Sequence, residues 1–140
     1  SQGGKMGLAL AEMPEGPYIQ LPFPVTKNNQ AVVDGHAFVM DGKICLLTTD
    51  NHGLIEKGGG ILWKSEDGIH FTEKEQGFFS LSEYVSQMDP EKATRIYGGM
   101  IKLERPQVLL LDGNPEYLYA PSGYNIYGGR STVSYVLKRK

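Results

Sequence analysis

Three Asp-Gly pairs, Asp41-Gly42, Asp67-Gly68 and Asp112-Gly113, each sit between short apolar runs. Asp-Gly suits a two-residue hairpin turn, because both positions tolerate positive φ. Residues 37–40 and 44–49 flank the first pair, 60–64 and 69–71 the second, and 106–111 and 116–120 the third. These runs are too short for helices and are rich in β-branched and aromatic residues. The chain also holds 18 Gly, 8 Pro and 8 Tyr, a usage that favours turns and short strands over a helical bundle. An all-β fold is predicted.

The turns recur within a larger repeat. A shift of 71 positions carries Val39-Met40-Asp41-Gly42 onto Leu110-Leu111-Asp112-Gly113, and a shift of 52 carries Leu10 and Gly16 onto Leu62 and Gly68. The unit so defined has four antiparallel strands, with tight turns after the first and third and a longer loop after the second. Consecutive sheets of this kind are β-propeller blades. Residues 31–72 read as a complete blade, 5–26 as the end of one, and 105–139 as a last blade with three strands, giving two to three blades in a single domain over 1–140. The fourth strand of the last blade is expected from the N-terminal region of a longer chain. Leu81, Tyr84, Val85 and Met88 stand at helical spacing, which predicts one short inserted helix over 80–90, ended by Pro90.

Charge removes several functions from consideration. Fourteen basic and sixteen acidic residues leave a net charge of −2, which gives no electrostatic case for nucleic acid or an anionic membrane as partner. No apolar run approaches the roughly 20 residues of a membrane helix. The single Cys45 excludes an intramolecular disulfide and a cysteine-rich zinc site, and its apolar run implies burial. Gly58-Gly59-Gly60 lacks the Lys-Ser/Thr of a phosphate loop, so it implies close backbone approach to a neighbouring strand or a sugar. His36, His52 and His70 come without a Gly-x-Ser-x-Gly elbow or an HExxH helix. Ser1-Gln2-Gly3-Gly4 is polar and reads as an internal start rather than an export signal.

Several segments together resemble the five-bladed propeller glycosidases of glycoside hydrolase families 43 and 117. The strand–turn segment from Gly7 to Tyr18 is one. Asp34-Gly35-His36-Ala37-Phe38, Asp41-Gly42-Lys43 and Thr49-Asp50-Asn51-His52-Gly53 are similar to the openings of catalytic blades. Leu62-Trp63-Lys64-Ser65-Glu66-Asp67-Gly68-Ile69-His70-Phe71 resembles a blade edge, and Glu104-Arg105-Pro106-Gln107 with Asp112-Gly113-Asn114-Pro115 a final blade. The resemblance implies a carbohydrate substrate, a central funnel, and carboxylates from several blades. It also implies a chain more than twice this length, of which this is the C-terminal part, with a first catalytic carboxylate upstream. A periplasmic or extracellular location follows if the resemblance holds.

Glycoside hydrolysis generally needs two carboxyl groups across the scissile bond. Asp34, before the inner strand of the complete unit, is the first candidate, and Glu104, opening the last unit, is the second. His36 lies two residues beyond Asp34, so a strand would place both on one face. The pair could hold a sugar hydroxyl, tune a proton donor, or bind a central cation such as calcium. No other cofactor is expected. The structural alternative is a strand-entry Asp with a His packed beside Phe38. Arg105 could anchor a sugar carboxylate or orient a catalytic acid, and with Glu104 it could instead form an interblade salt bridge. His52 sits on a polar turn that could reach ligand, while Asp50 and Asn51 suit bonding to their own backbone. Tyr124, in the loop Ser122-Gly123-Tyr124-Asn125, is the expected sugar platform, with Asn125 beside it and Tyr127 a further aromatic. Trp63 is assigned to the core. The expected partners are an oligosaccharide or polysaccharide and either the rest of a propeller or another copy of the chain. The competing reading is a propeller that binds carbohydrate, or another protein, without catalysis.

Overall fold

A computed structural model describes residues 4–86, 88–89, 101–125 and 132–140. Within them the chain is all-β, with antiparallel pairing throughout its sheets. Strands β1 (Ala9–Leu10) and β2 (Ile19–Gln20) form a hairpin. A four-stranded sheet follows in chain order: β3 (Val32–Met40), β4 (Lys43–Asp50), β5 (Gly60–Ser65) and β6 (Glu73–Phe78). A three-stranded sheet contains β7 (Gln107–Leu111), β8 (Asn114–Ser122) and β9 (Val133–Lys138).

The first and third Asp-Gly pairs do what their chemistry demands. Asp41 and Gly42 have φ of 51° and 73°, and the hairpin closes on them with Met40 paired to Lys43. Asp112 and Gly113 have φ of 50° and 77°, and Leu111 pairs with Asn114. Positive φ at both central positions matches the right-handed twist of the joined strands.

The second pair departs from the expectation. Asp67 turns its carboxylate back on the chain, accepting from the amides of Ile69 and His70 at 2.9 and 2.8 Å and from Ser65 Oγ at 2.9 Å. This side-chain-built loop replaces a hairpin turn. Residues 69–71 are therefore not the fourth strand. Phe71 is buried and forms a parallel bridge to Thr26. The fourth strand is β6, so the four-stranded unit runs to 78 rather than 72. Its sequence is polar because it is the outer edge, where charge suits water and blocks further pairing. Lys64 pairs with Glu75 across that edge at 2.6 Å.

Both faces of the four-stranded sheet are covered. Adjacent residues on a strand point to opposite faces, and Leu46 and Leu47 enter different cores. Leu46 packs with Val25, Val32, Ile61, Trp63 and Phe71, and Leu47 with Phe78, Leu81, Leu103, Ala120 and Tyr124. Trp63 is core, as expected, and its indole N–H donates to Thr48 Oγ1 at 3.0 Å, so its polar atom is satisfied. Cys45 is likewise fully buried, and burial pushes its thiol pKa up.

The Gly58–Gly60 run approaches neighbouring strands. The Gly58 carbonyl accepts from the Leu103 amide at 3.1 Å, and a Cβ on Gly60 would clash with the face of the Phe78 ring. In place of the helix expected over 80–90, the described residues hold a single 3-10 turn, Leu81–Glu83, whose leading Ser80 supplies no side-chain cap. Leu81, Val85 and Met88 still pack on the second core, so their spacing reflected burial rather than a full helix. Gln87 and Pro90 lie outside the described residues. No helix among the described residues is long and apolar enough to cross a membrane. A cleft of about 340 Å³ separates the two larger sheets, walled by residues such as Phe38, Leu47, Leu62, Phe78, Val108 and Leu137.

Candidate functional site

Among the described residues, four non-glycine residues carry positive φ. Asp41 and Asp112 are explained by their turns. The other two, Asp34 (61°) and Arg105 (44°), are not in hairpin turns. Asp34 lies in an irregularity of β3, where the pairing with β4 shifts between Val33 and His36. Arg105 lies just before Pro106 and β7, and the residue before a proline ordinarily prefers extended backbone. The shift of 71 that superposes the two hairpins also carries Asp34 onto Arg105. These equivalent residues meet: the Arg105 amide donates to Asp34 Oδ2 at 3.4 Å. Thr49 Oγ1, on β4, donates to the same oxygen at 3.3 Å. Both bonds are long and therefore weak. Asp34 is half-buried, and Oδ1 takes no donor among the described residues.

The pairing shift alters the expected Asp34–His36 arrangement. It interrupts the alternation that would put both side chains on one face. The half-buried His36 ring instead stacks on Phe38, with centroids 5.8 Å apart. This is the structural alternative raised for that residue, and it leaves no hydrogen bond between the two side chains.

Glu104 is held by Lys102, Nζ to Oε1 at 2.7 Å, with side-chain exposures of 13% and 10%. Lys102 Nζ also donates to Asn51 Oδ1 at 3.0 Å, and the Glu104 amide donates to the Pro121 carbonyl at 2.8 Å. One ammonium thereby ties the turn after β4 to the segment leading into β7. The Glu104 ion pair is local to its own segment. The link between the sheets at Arg105 is a main-chain bond to Asp34 rather than a salt bridge. The guanidinium of Arg105 is in no ion pair among the described residues, and the residue is exposed.

Asp50 resolves to its expected backbone role, more extensively than a simple turn. Its buried carboxylate accepts from five consecutive amides. Oδ1 takes His52, Gly53 and Leu54 at 3.3, 2.8 and 2.9 Å, and Oδ2 takes Ile55 and Glu56 at 2.7 and 3.0 Å. The loop carrying His52 is therefore shaped by Asp50, and His52 is exposed on it.

Tyr124 is not a sugar platform. It is 3% exposed and belongs to the core between the larger sheets, where its hydroxyl accepts from the Asp89 amide at 3.1 Å. The glycine beside it suggested an exposed loop, but the chain folds back and Tyr135 Oη donates to the Tyr124 carbonyl at 2.9 Å. Asn125 follows, half-buried. Tyr127 lies outside the described residues.

The structure thus brings together Asp34, Glu104 and Arg105 and sets Tyr124 apart. None of the residues predicted for the site lines the apolar cleft. No group of three or more His, Cys, Asp or Glu that could hold a metal ion occurs among the described residues. Sequence reasoning missed Thr49, Asn51 and Lys102 as supports. The signal for this meeting lies in the sequence, where the shift of 71 aligns Asp34 with Arg105. The chain matches no family model, no curated protein and no solved structure in comparisons with each.

Proposed function

We propose that this chain is the carbohydrate-handling part of a β-propeller glycoside hydrolase, its sheets being successive blades and its ring completed by the rest of a longer protein or another copy. The observation that supports this reading is the meeting of Asp34 with the Glu104–Arg105 segment at the heads of two equivalent strands. Strained non-glycine residues concentrate at functional sites. Here one of them is Asp34, a carboxylate candidate of the resemblance to the family 43 and 117 glycosidases, and the other, Arg105, adjoins the second candidate, Glu104.

The roles follow from the surroundings. Asp34 has weak partners and an open oxygen, which suits proton transfer to or from a substrate oxygen. Glu104, fixed by Lys102, supplies placed negative charge of the kind that stabilises an oxocarbenium-like transition state. His36 and the loop bearing His52 offer hydrogen bonds to sugar hydroxyls.

A second reading, binding without hydrolysis, draws on the enclosure of Glu104 in its ion pair, which leaves that carboxylate less free to react. Calorimetry of the protein with its ring complete against an oligosaccharide panel, followed by chromatography of the same mixtures, separates the two. The hydrolytic reading expects products that vanish in Asp34→Asn while binding persists. Binding with no product favours the second reading, and a panel with no binding at all removes both.

A further inference from the structure

We infer that Arg105 recognises an oxyanion, so that the carbohydrate taken at this site carries a carboxylate or sulfate substituent. The inference rests on the carbohydrate reading above and narrows it to a substrate class.

The argument begins with charge. Four ionisable groups gather where the β3 and β7 segments meet: Asp34, Lys102, Glu104 and Arg105. Lys102 and Glu104 close on each other at 2.7 Å. Asp34 engages Arg105 only through the main-chain amide, at 3.4 Å. The guanidinium is left exposed and in no ion pair among the described residues. Of the two roles the sequence offered for Arg105, orienting a catalytic carboxylate is therefore not the one its surroundings favour. Anchoring an anion is.

Backbone conformation supplies an independent observation. At φ 44°, a glycine would sit without strain, whereas an arginine does not. A strained backbone that nevertheless carries a large cationic side chain points to use of that side chain. The equivalent position in the other sheet carries Asp34, so one junction presents an open carboxylate oxygen and an open guanidinium. A carboxylate accepts from sugar hydroxyls. A guanidinium forms paired hydrogen bonds to a carboxylate or sulfate, which an ammonium cannot reproduce. The two together fit a sugar bearing both hydroxyls and an oxyanion.

The test is calorimetric, on the protein with its ring complete, with three matched oligosaccharide sets: neutral, uronic-acid-containing and sulfated. One charged set should bind at least about tenfold more tightly than its neutral counterpart, and which set does so identifies the oxyanion. Arg105→Gln should remove that advantage, so that the charged set binds no more tightly than its neutral counterpart. Arg105→Lys should restore only part of it. Should Arg105→Gln fail to fold, Arg105→Gly, which suits the positive φ, reports the same loss. Equal binding of neutral and charged sets, or an equal loss on all three in the variants, overturns the inference while leaving the carbohydrate reading standing. Absence of binding by every set overturns both.

Discussion

Asp34 and Arg105 stand 71 residues apart, share positive φ, and touch through an amide-to-carboxylate hydrogen bond of 3.4 Å. They are the same position of a repeated unit, carrying opposite charge in its two copies. The same backbone conformation thus recurs in the two units and carries two different side chains where they meet.

If those side chains are kept for function rather than for folding, replacing Asp34 by Gly should separate the two properties. Gly adopts φ near 61° freely, and the bonds lost are long. Stability should stay within about 1 kcal/mol of the wild type in urea denaturation. Sugar binding or turnover should fall sharply in the same protein.

Asp50 should behave in the opposite way. Removing its carboxylate with Asp50→Ala takes the shared acceptor from five loop amides, two of them on the half-buried Leu54 and Glu56, and leaves a hole at a fully buried position. Destabilisation of about 3 kcal/mol or more is expected, read from the urea midpoint. Asp50→Asn should also be costly, because an amide cannot accept on both atoms where Oδ1 and Oδ2 each receive N–H donors.

Gly60→Ala places a methyl group where the Phe78 ring lies. Overpacking of this kind costs about 1–3 kcal/mol. Phe78→Leu alone should also destabilise, but the double variant should be more stable than the sum of the two effects predicts. A double-mutant cycle in urea measures that coupling.

Asp67 gives a pH dependence whose sign is fixed. The His70 ring first, then the His70 and Ile69 amides and the Ser65 hydroxyl, hold its carboxyl pKa far below the usual carboxylate range against a smaller opposing desolvation. A lowered folded pKa stabilises the fold above the unfolded value of about 3.9 and loses that contribution as pH falls toward the folded value. The advantage in Tm of wild type over Asp67→Asn should therefore be steady near pH 5 and shrink progressively below about pH 4. An advantage that grew with acidity would contradict the assignment.

The legible parts of the fold are those encoded locally. Asp41-Gly42 and Asp112-Gly113 declare their turns because few other dipeptides accept two positive φ values. Trp63 and Cys45 read as buried because their neighbours are apolar. β6 was hidden because an edge strand with one wet face needs no apolar alternation, so Glu73–Phe78 looks like a loop. Asp67-Gly68 misled because aspartate serves hairpin turns and side-chain-built loops alike. At the candidate site, Asp34, Glu104 and Arg105 were visible as charged residues at strand entries. The burial of Tyr124 and the reach of Lys102 to Asn51 depend on contacts distant along the chain, which no local pattern carries.

The five-amide hold on Asp50 has one more consequence. The outline of residues 52–56 is set largely by main-chain atoms and a single carboxylate outside the segment, so it does not depend on the exposed side chain of His52. Such a loop can be redecorated, at His52 first of all, while its shape is inherited unchanged. A protein built this way can change the exposed surface of this loop without renegotiating its fold.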